Sequence, residues 1–284
     1  RGERNRWNKL KSMFMNPLSV RLPLFSPDRA LSIVVSAVPS WVWAVGLALW
    51  ALLIGVGAIT VAMHWPALTD DLSAQVFTPE KMLWLVLIFP ILKAIHEFGH
   101  CLALKALGGT VHEVGLMFLI FVPVPYVEAS QSYTFASKWQ RMLVGAAGMV
   151  IEIGVAALCV LLWVDASPGL AKSVLHQILI LASVTTVVFN ANPLLRFDGY
   201  YILSDWLEMP NLANRANKVV QSWVKRRLFG VEETPPLETA AELRWLVPYA
   251  LSSHVYRLMV TFTIVFMVAE RYLGVGLVLA AWSV

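Results

Sequence analysis

The stretch MLWLVLIFPILKAIHEFGHCLALKAL, residues 82–107, decides how this chain is read. It is apolar, holds no proline after Pro90, and is long enough to cross a bilayer as a single helix. Residues four apart on a helix lie one turn above each other, so His96 and His100 present two imidazoles to one point, with Glu97 beside them. This spacing binds zinc. An ion held this way lowers the pKa of its water to about 7, and a neighbouring carboxylate can take the proton. HExxH is short enough to arise by chance. Within a lipid-facing run, however, each ionisable group costs about a few kcal/mol unless it is partnered, which favours the zinc reading.

The surrounding composition agrees with a membrane setting. Of 284 residues, 58% are hydrophobic and 14% charged, with 12 tryptophans, as in a polytopic membrane protein. The net charge of +4 is modest and suggests no nucleic-acid partner. Cys101 and Cys159 fall in expected membrane helices without a CxxC partner, so they read as packing residues. The chain opens without Met and ends in an apolar run, so a piece of a longer protein is expected.

Lys and Arg placement gives the orientation. Residues 1–29 carry seven Lys or Arg against Glu3 and Asp28, with prolines at 17, 23 and 27. They read as a cytoplasmic, loop-like lead-in with an interfacial stretch from Trp7 to Phe14. A first crossing is expected over Trp41 to Ala62, and the loop from His64 to Glu80, with three acids and no Lys or Arg, lies outside. The second crossing then runs inward, and a helical rise places His96 about 21 Å and His100 about 27 Å along it, in the cytoplasmic half. Lys105 and Gly108-Gly109 end that helix. Val111 to Val127 is apolar and β-prone but interrupted by Pro123 and Pro125, so a small β-hairpin or re-entrant element is expected, with an interfacial helix as the alternative.

A third crossing, Trp139 to Trp163, carries Gly145, Ala146, Ala147 and Gly148, small residues that allow close packing against the metal-bearing helix. The fourth, Val174 to Phe189, returns to the cytoplasm and is broken by Pro193. Arg215, Lys218, Lys225, Arg226, Arg227 and Arg244 mark a cytoplasmic amphipathic segment. A fifth crossing follows over Leu246 to Ala269, and a sixth begins at Tyr272. The expected architecture is an all-α polytopic membrane protein of about six transmembrane helices, N-terminus cytoplasmic. Its divisions are a basic lead-in (1–30), a membrane core (31–204), the amphipathic segment (205–246) and C-terminal helices (247–284).

Two histidines leave a catalytic zinc one protein ligand short. Asp198 reaches the required depth beside the helix break, whereas Asp70, Asp71 and Asp165 are on the outer side; His112 and Glu128 share the inner side and remain rivals. Lys93 shares the histidine face, and Glu152 is a lone acid in the third crossing. Either one alone would be costly in the membrane, so an ion pair between them is expected, aiding bundle register or substrate orientation, with Lys93 facing a watery cavity as the alternative. His64, His112, His176 and His254 read as boundary or packing residues, and Tyr200, Tyr201 and Trp206 as an interfacial aromatic belt.

His96-Glu97-Phe98-Gly99-His100 on one membrane helix, with Asn192-Pro193 and then Asp198-Gly199 after another, resembles the site-2 protease family of intramembrane zinc metallopeptidases. It resembles most the bacterial branch of peptide zinc metalloproteases associated with membrane-fusion-type export proteins. The resemblance implies that His96, His100 and Asp198 bind Zn²⁺, that Glu97 is the general base and that Asn192 helps to orient the substrate. It also implies a bacterial inner membrane, a peptide or transmembrane-segment substrate, and a membrane-fusion-type export protein as partner. Departures are Leu195 at the second proline of the family's Asn-Pro-x-Pro, and Gly148-Met149-Val150-Ile151-Glu152 where the family has Gly-Pro-x-x-Asn. The expected activity is zinc endopeptidase. The alternative is a non-proteolytic component of peptide export or immunity with a structural or vestigial metal site, against which Glu97 weighs, since a structural site needs no base. A transporter is disfavoured by the lack of repeated halves.

Overall fold

The computed structural model of the protein describes residues 19–70, 79–119, 122–230 and 239–271. They are mostly helical and divide into two units, Arg1–Asn192 with Phe197–Ile202, and Pro193–Arg196 with Leu203–Val284. In chain order the first unit holds β1 (Ser19–Phe25), α1 (Asp28–Ala37), α2 (Ser40–Met63), α3 (Trp65–Thr69), α4 (Pro79–Ala106), β2 (Val114–Leu119), β3 (Val122–Val127), α5 (Lys138–Asp165), α6 (Leu170–Val184), a π-turn (Thr185–Asn190) and the start of α7 (Asp198–Trp206). Among the described residues four helices are long and apolar enough to cross a membrane: α2, α4, α5, and α6 with its π-turn. They cover the first four crossings expected from hydropathy. Residues from Tyr272 on, like the Trp7 to Phe14 stretch, lie outside the described residues.

α5 is the centre of this unit: 44% of its apolar window is enclosed by protein, against 6% for α2. Small residues explain the close approaches. A Cβ on Gly99 of α4 would lie 2.7 Å from the Ala147 carbonyl oxygen, and one on Gly57 of α2 would lie 2.5 Å from the Ala157 methyl, so only glycine lets these helices touch α5. Trp50 of α2 donates its indole N–H to Val150 O across the same seam, 3.1 Å away. One apolar cluster joins Leu68, Ile88, Leu92, Cys159, Val160 and Leu179; another joins Leu31, Cys101, Leu104, Val111 and Val144. Both cysteines are free and buried in these clusters. At its C-terminal end α4 stops where Gly108 takes φ +88°, and the Gly109 N–H closes back on Leu104 O at 2.9 Å.

The region after α4 is extended, but it is not a lone hairpin. The sheet runs β1-β2-β3, all antiparallel. Residues 19–25, read from sequence as part of a loop-like lead-in, supply its third strand. Arg21 and Pro23 hide the alternation of that strand, and its pairing comes from β2, more than ninety positions away in the register Ser19↔Leu119. Pro123 and Pro125 pair opposite Phe118 and Leu116. Lacking an N–H, they occupy the alternate positions whose backbone points away from β2.

Asp28 ties this layer to α4. Its Oδ1 accepts from Lys105 Nζ at 2.9 Å and from the Val111 N–H at 3.0 Å. The Lys105 hydrogen bond, foremost, lowers its pKa below the usual 3.8. A carboxylate whose folded pKa is depressed contributes stability that is complete above its ordinary value and is lost as pH falls through the lowered one. Asp28→Asn should therefore melt at a lower temperature at neutral pH, and the difference from native should close on acidification below about pH 4. A melting difference that stays constant across that range would overturn this account.

The described second unit consists chiefly of α8 (Leu212–Phe229) and α9 (Ala240–Arg271). Leu212, Ala213, Ala216 and Val219 are buried in it, while Lys218, Lys225, Arg226 and Arg227 are exposed, which is the amphipathic pattern. Gly230, at φ +62°, ends α8. Thr239 and Glu242 form a reciprocal cap at the start of α9: the Thr239 N–H donates to Glu242 Oε2 at 2.9 Å, and the Glu242 N–H donates to Thr239 Oγ1 at 3.3 Å. The hydrogen bond from Arg215, with that from the Thr239 backbone, holds the Glu242 carboxyl at about 2. α9 contains the whole segment expected as a fifth crossing, Leu246 to Ala269, but it is not among the four described helices long and apolar enough to cross a membrane.

Candidate metal centre

α4 places His96 and His100 one turn apart on its α5 side, both buried. α6 runs into a π-turn and then, past Pro193, into α7, whose first residue is Asp198. The Asp-Gly pair reads as a turn in sequence, and Gly199 gives it a particular use here. A Cβ at Gly199 would lie 2.5 Å from Ala191 O, so its absence lets α7 start hard against the 190–191 backbone.

Three potential ligand residues converge. His96 Nε2 and His100 Nε2 are 3.1 Å apart, Asp198 Oδ2 is 2.9 Å from His96 Nε2, and Asp198 Oδ1 is 3.5 Å from His100 Nε2. His96, His100 and Asp198 form the group able to hold a metal ion among the described residues.

The other ring nitrogens determine what this convergence means. His100 Nδ1 sits 2.7 Å from Val144 O, and a carbonyl only accepts, so Nδ1 carries a proton there. His96 Nδ1 lies 2.8 Å from Glu152 Oε2, again an acceptor. With Nδ1 protonated in both rings, each Nε2 turns its lone pair toward the other and toward a carboxylate. A cation held among these atoms would satisfy both lone pairs and the carboxylate together. The separations suit a tetrahedral ion, whose ligands at about 2.0–2.1 Å stand about 3.3 Å apart. Space is supplied by α5, because a Cβ at Gly148 would fall 2.5 Å from His100 Nε2 and 2.6 Å from His96 Nε2.

Glu97 is half-buried on the adjacent face and makes no hydrogen bond among the described residues, so its carboxylate is uncommitted. Lys93 and Glu152 are brought together, Nζ to Oε2 3.3 Å, with Glu152 wholly buried. Sequence reasoning missed two members of this cluster. Thr185 Oγ1 donates to Glu152 Oε1 at 2.5 Å, and Asn190 Nδ2 donates to Glu152 Oε2 at 3.3 Å. Asn192, singled out by resemblance, is half-buried and gives its backbone N–H to Phe189 O, and Asn190 is the asparagine beside His96. The available signal was Val184 to Val188, five β-branched residues in a row, a poor continuation for an α-helix.

The rival ligands lie elsewhere. His112 is exposed and contacts Thr110 Oγ1 at 3.3 Å, and exposed Glu128 accepts from Ser130 Oγ at 3.2 Å. His64, His176 and His254 hydrogen-bond to the carbonyls of Thr60, Leu68 and Ala250. Tyr200, expected in an interfacial belt, is buried at 5% exposure, whereas Tyr201 and Trp206 remain exposed. No family model, curated protein or solved structure matches the chain.

Proposed function

We propose that this chain is a zinc metalloendopeptidase that hydrolyses peptide bonds of membrane-associated substrates within the bilayer. The observation that carries the reading is the convergence of His96, His100 and Asp198 on one point beside an uncommitted Glu97, on a helix apolar enough to span a membrane. Two imidazoles and a carboxylate, with no thiolate, are a donor set suited to zinc with a position left open. Zinc bound there supplies Lewis acidity toward a peptide carbonyl and lowers the pKa of a water to about 7.

The chain's own groups do the rest. Glu97 takes a proton from the attacking water as its oxygen joins the carbonyl carbon, and returns that proton to the amine as the C–N bond breaks. A helix hides its peptide bonds, so the substrate must be unwound, and Gly or Pro near the scissile bond favours cleavage. An extended substrate alongside β3 finds carbonyl acceptors at Pro123 and Pro125 but no donors, so pairing there is one-sided.

The loop charges support an N-inside topology with the site toward the cytoplasmic half, and the hydropathy of the sequence supports six crossings. The resemblance of the two motifs to site-2 proteases is what supports a bacterial inner membrane and a membrane-fusion-type export protein as partner. The test is metal content together with cleavage of an unstructured reporter peptide by the full chain in detergent. Stoichiometric zinc, with cleavage lost to a chelator and restored by zinc, is the expected result. Absence of bound metal and of cleavage would move the assignment to a non-proteolytic export or immunity component.

A further inference from the structure

Glu152 is wholly buried in α5, between two membrane helices. A charge in such a place is tolerated when every lone pair is used. Oε1 receives Thr185 Oγ1; Oε2 receives Lys93 Nζ and Asn190 Nδ2 and faces His96 Nδ1. An ion pair serving bundle register would need the lysine alone. Here the shorter contact, 2.8 Å against 3.3 Å, is made to the histidine.

The two neutral donors come from one segment. Thr185 and Asn190 are five residues apart, which on an α-helix puts them about 140° from each other, on different faces. The i→i+5 spacing of a π-turn stacks such residues, and the backbone here closes that way, with the Ala191 N–H on Thr186 O at 2.7 Å. The irregular turn therefore aims both side chains at one carboxylate. It forms without help from proline or glycine within its own six residues, TTVVFN, where β-branched side chains weaken the α-helix.

We propose that Glu152 is a positioning residue for the metal centre. It holds the proton on His96 Nδ1 and so presents the Nε2 lone pair to the metal, while the π-turn, through Thr185 and Asn190, locks the carboxylate in register and Lys93 balances its charge. The proposal rests on the reading of His96, His100 and Asp198 as a metal centre and is independent of what that centre cleaves.

Two readouts on the full chain in detergent separate its failure from failure of the metal reading. The first is zinc affinity by competition with a chromophoric chelator. Glu152→Leu should weaken binding about 10- to 100-fold, Thr185→Val should weaken it by less, and Lys93→Met should leave it within about threefold, because orientation rather than charge balance is at stake. Glu152→Gln, whose amide oxygen can still accept from Nδ1, should retain more affinity than Glu152→Leu. The second readout is the ¹⁵N spectrum of histidine-labelled, metal-free protein at mildly alkaline pH, with His96 assigned by its loss in His96→Gln. The native ring should show a protonated Nδ1 and an unprotonated Nε2, and Glu152→Leu should shift it toward the tautomer mixture of free histidine. Thr185→Val, isosteric and removing a hydrogen bond to Glu152 rather than to a ligand, covers the case in which Glu152→Leu does not fold. An unchanged tautomer in Glu152→Leu, or in Thr185→Val should the former be lost, would overturn the proposal. So would Lys93→Met costing as much affinity as Glu152→Leu. A tautomer that shifts in a protein binding no zinc would uphold Glu152 as the orienting group and defeat the metal reading instead.

Discussion

The Glu97→Gln protein is expected to bind zinc with native stoichiometry and to cleave peptide about 10²- to 10⁴-fold more slowly. The ligand atoms converge without Glu97, which makes no hydrogen bond among the described residues, so its amide should disturb neither the helix nor the donor set. What disappears is a carboxylate able to receive the water's proton. Metal analysis and single-turnover rates on the same preparation decide the matter. Native rates in the variant would remove Glu97 from the mechanism, and loss of zinc with loss of activity would make it a support of the ligand set instead.

Gly148→Ala should produce the opposite dissociation, a well-folded chain that has lost its metal. In the interior of a helix, alanine is favoured over glycine by up to about 1 kcal/mol. The new methyl would nevertheless sit 2.5 Å from His100 Nε2 and 2.6 Å from His96 Nε2, in the space the ion needs. Moving the rings aside would strain the Nδ1 contacts to Glu152 and Val144. Zinc affinity is expected to fall on the order of 100-fold or more, with melting temperature near native. Gly55→Ala, where an added Cβ meets nothing within 4 Å, is the control. Unaltered zinc affinity in Gly148→Ala would place the metal elsewhere.

How much of this was legible in the sequence depended on the range of the interaction concerned. The apolar spans are summed over some twenty residues, so hydropathy located α2, α4, α5 and α6 within a few positions of their ends. His96 and His100 were legible because their geometry is internal to one helix. Asp198 needed the added premise that a broken crossing returns to the same depth. β1 was not legible, since a short strand with Arg21 and Pro23 acquires its character from distant partners. The π-turn was not legible either, and with it went the choice between Asn190 and Asn192, because a single extra residue in a turn rotates every side chain after it. Lys93 and Glu152 could be matched as lone opposite charges, but that Glu152 also faces His96 depends on helix rotation, which no spacing within either segment records.

The prolines of β3 bear on how many such molecules can share a membrane. An open strand edge ordinarily invites a second copy to zip onto it, each chain lending donors to the other's acceptors. At Pro123 and Pro125 the outward backbone holds oxygens without hydrogens, so two β3 edges laid side by side would oppose like dipoles at those positions. A second copy pairing there would find acceptors facing acceptors at both positions. Crowding in the bilayer therefore need not lead to β-linked clumping.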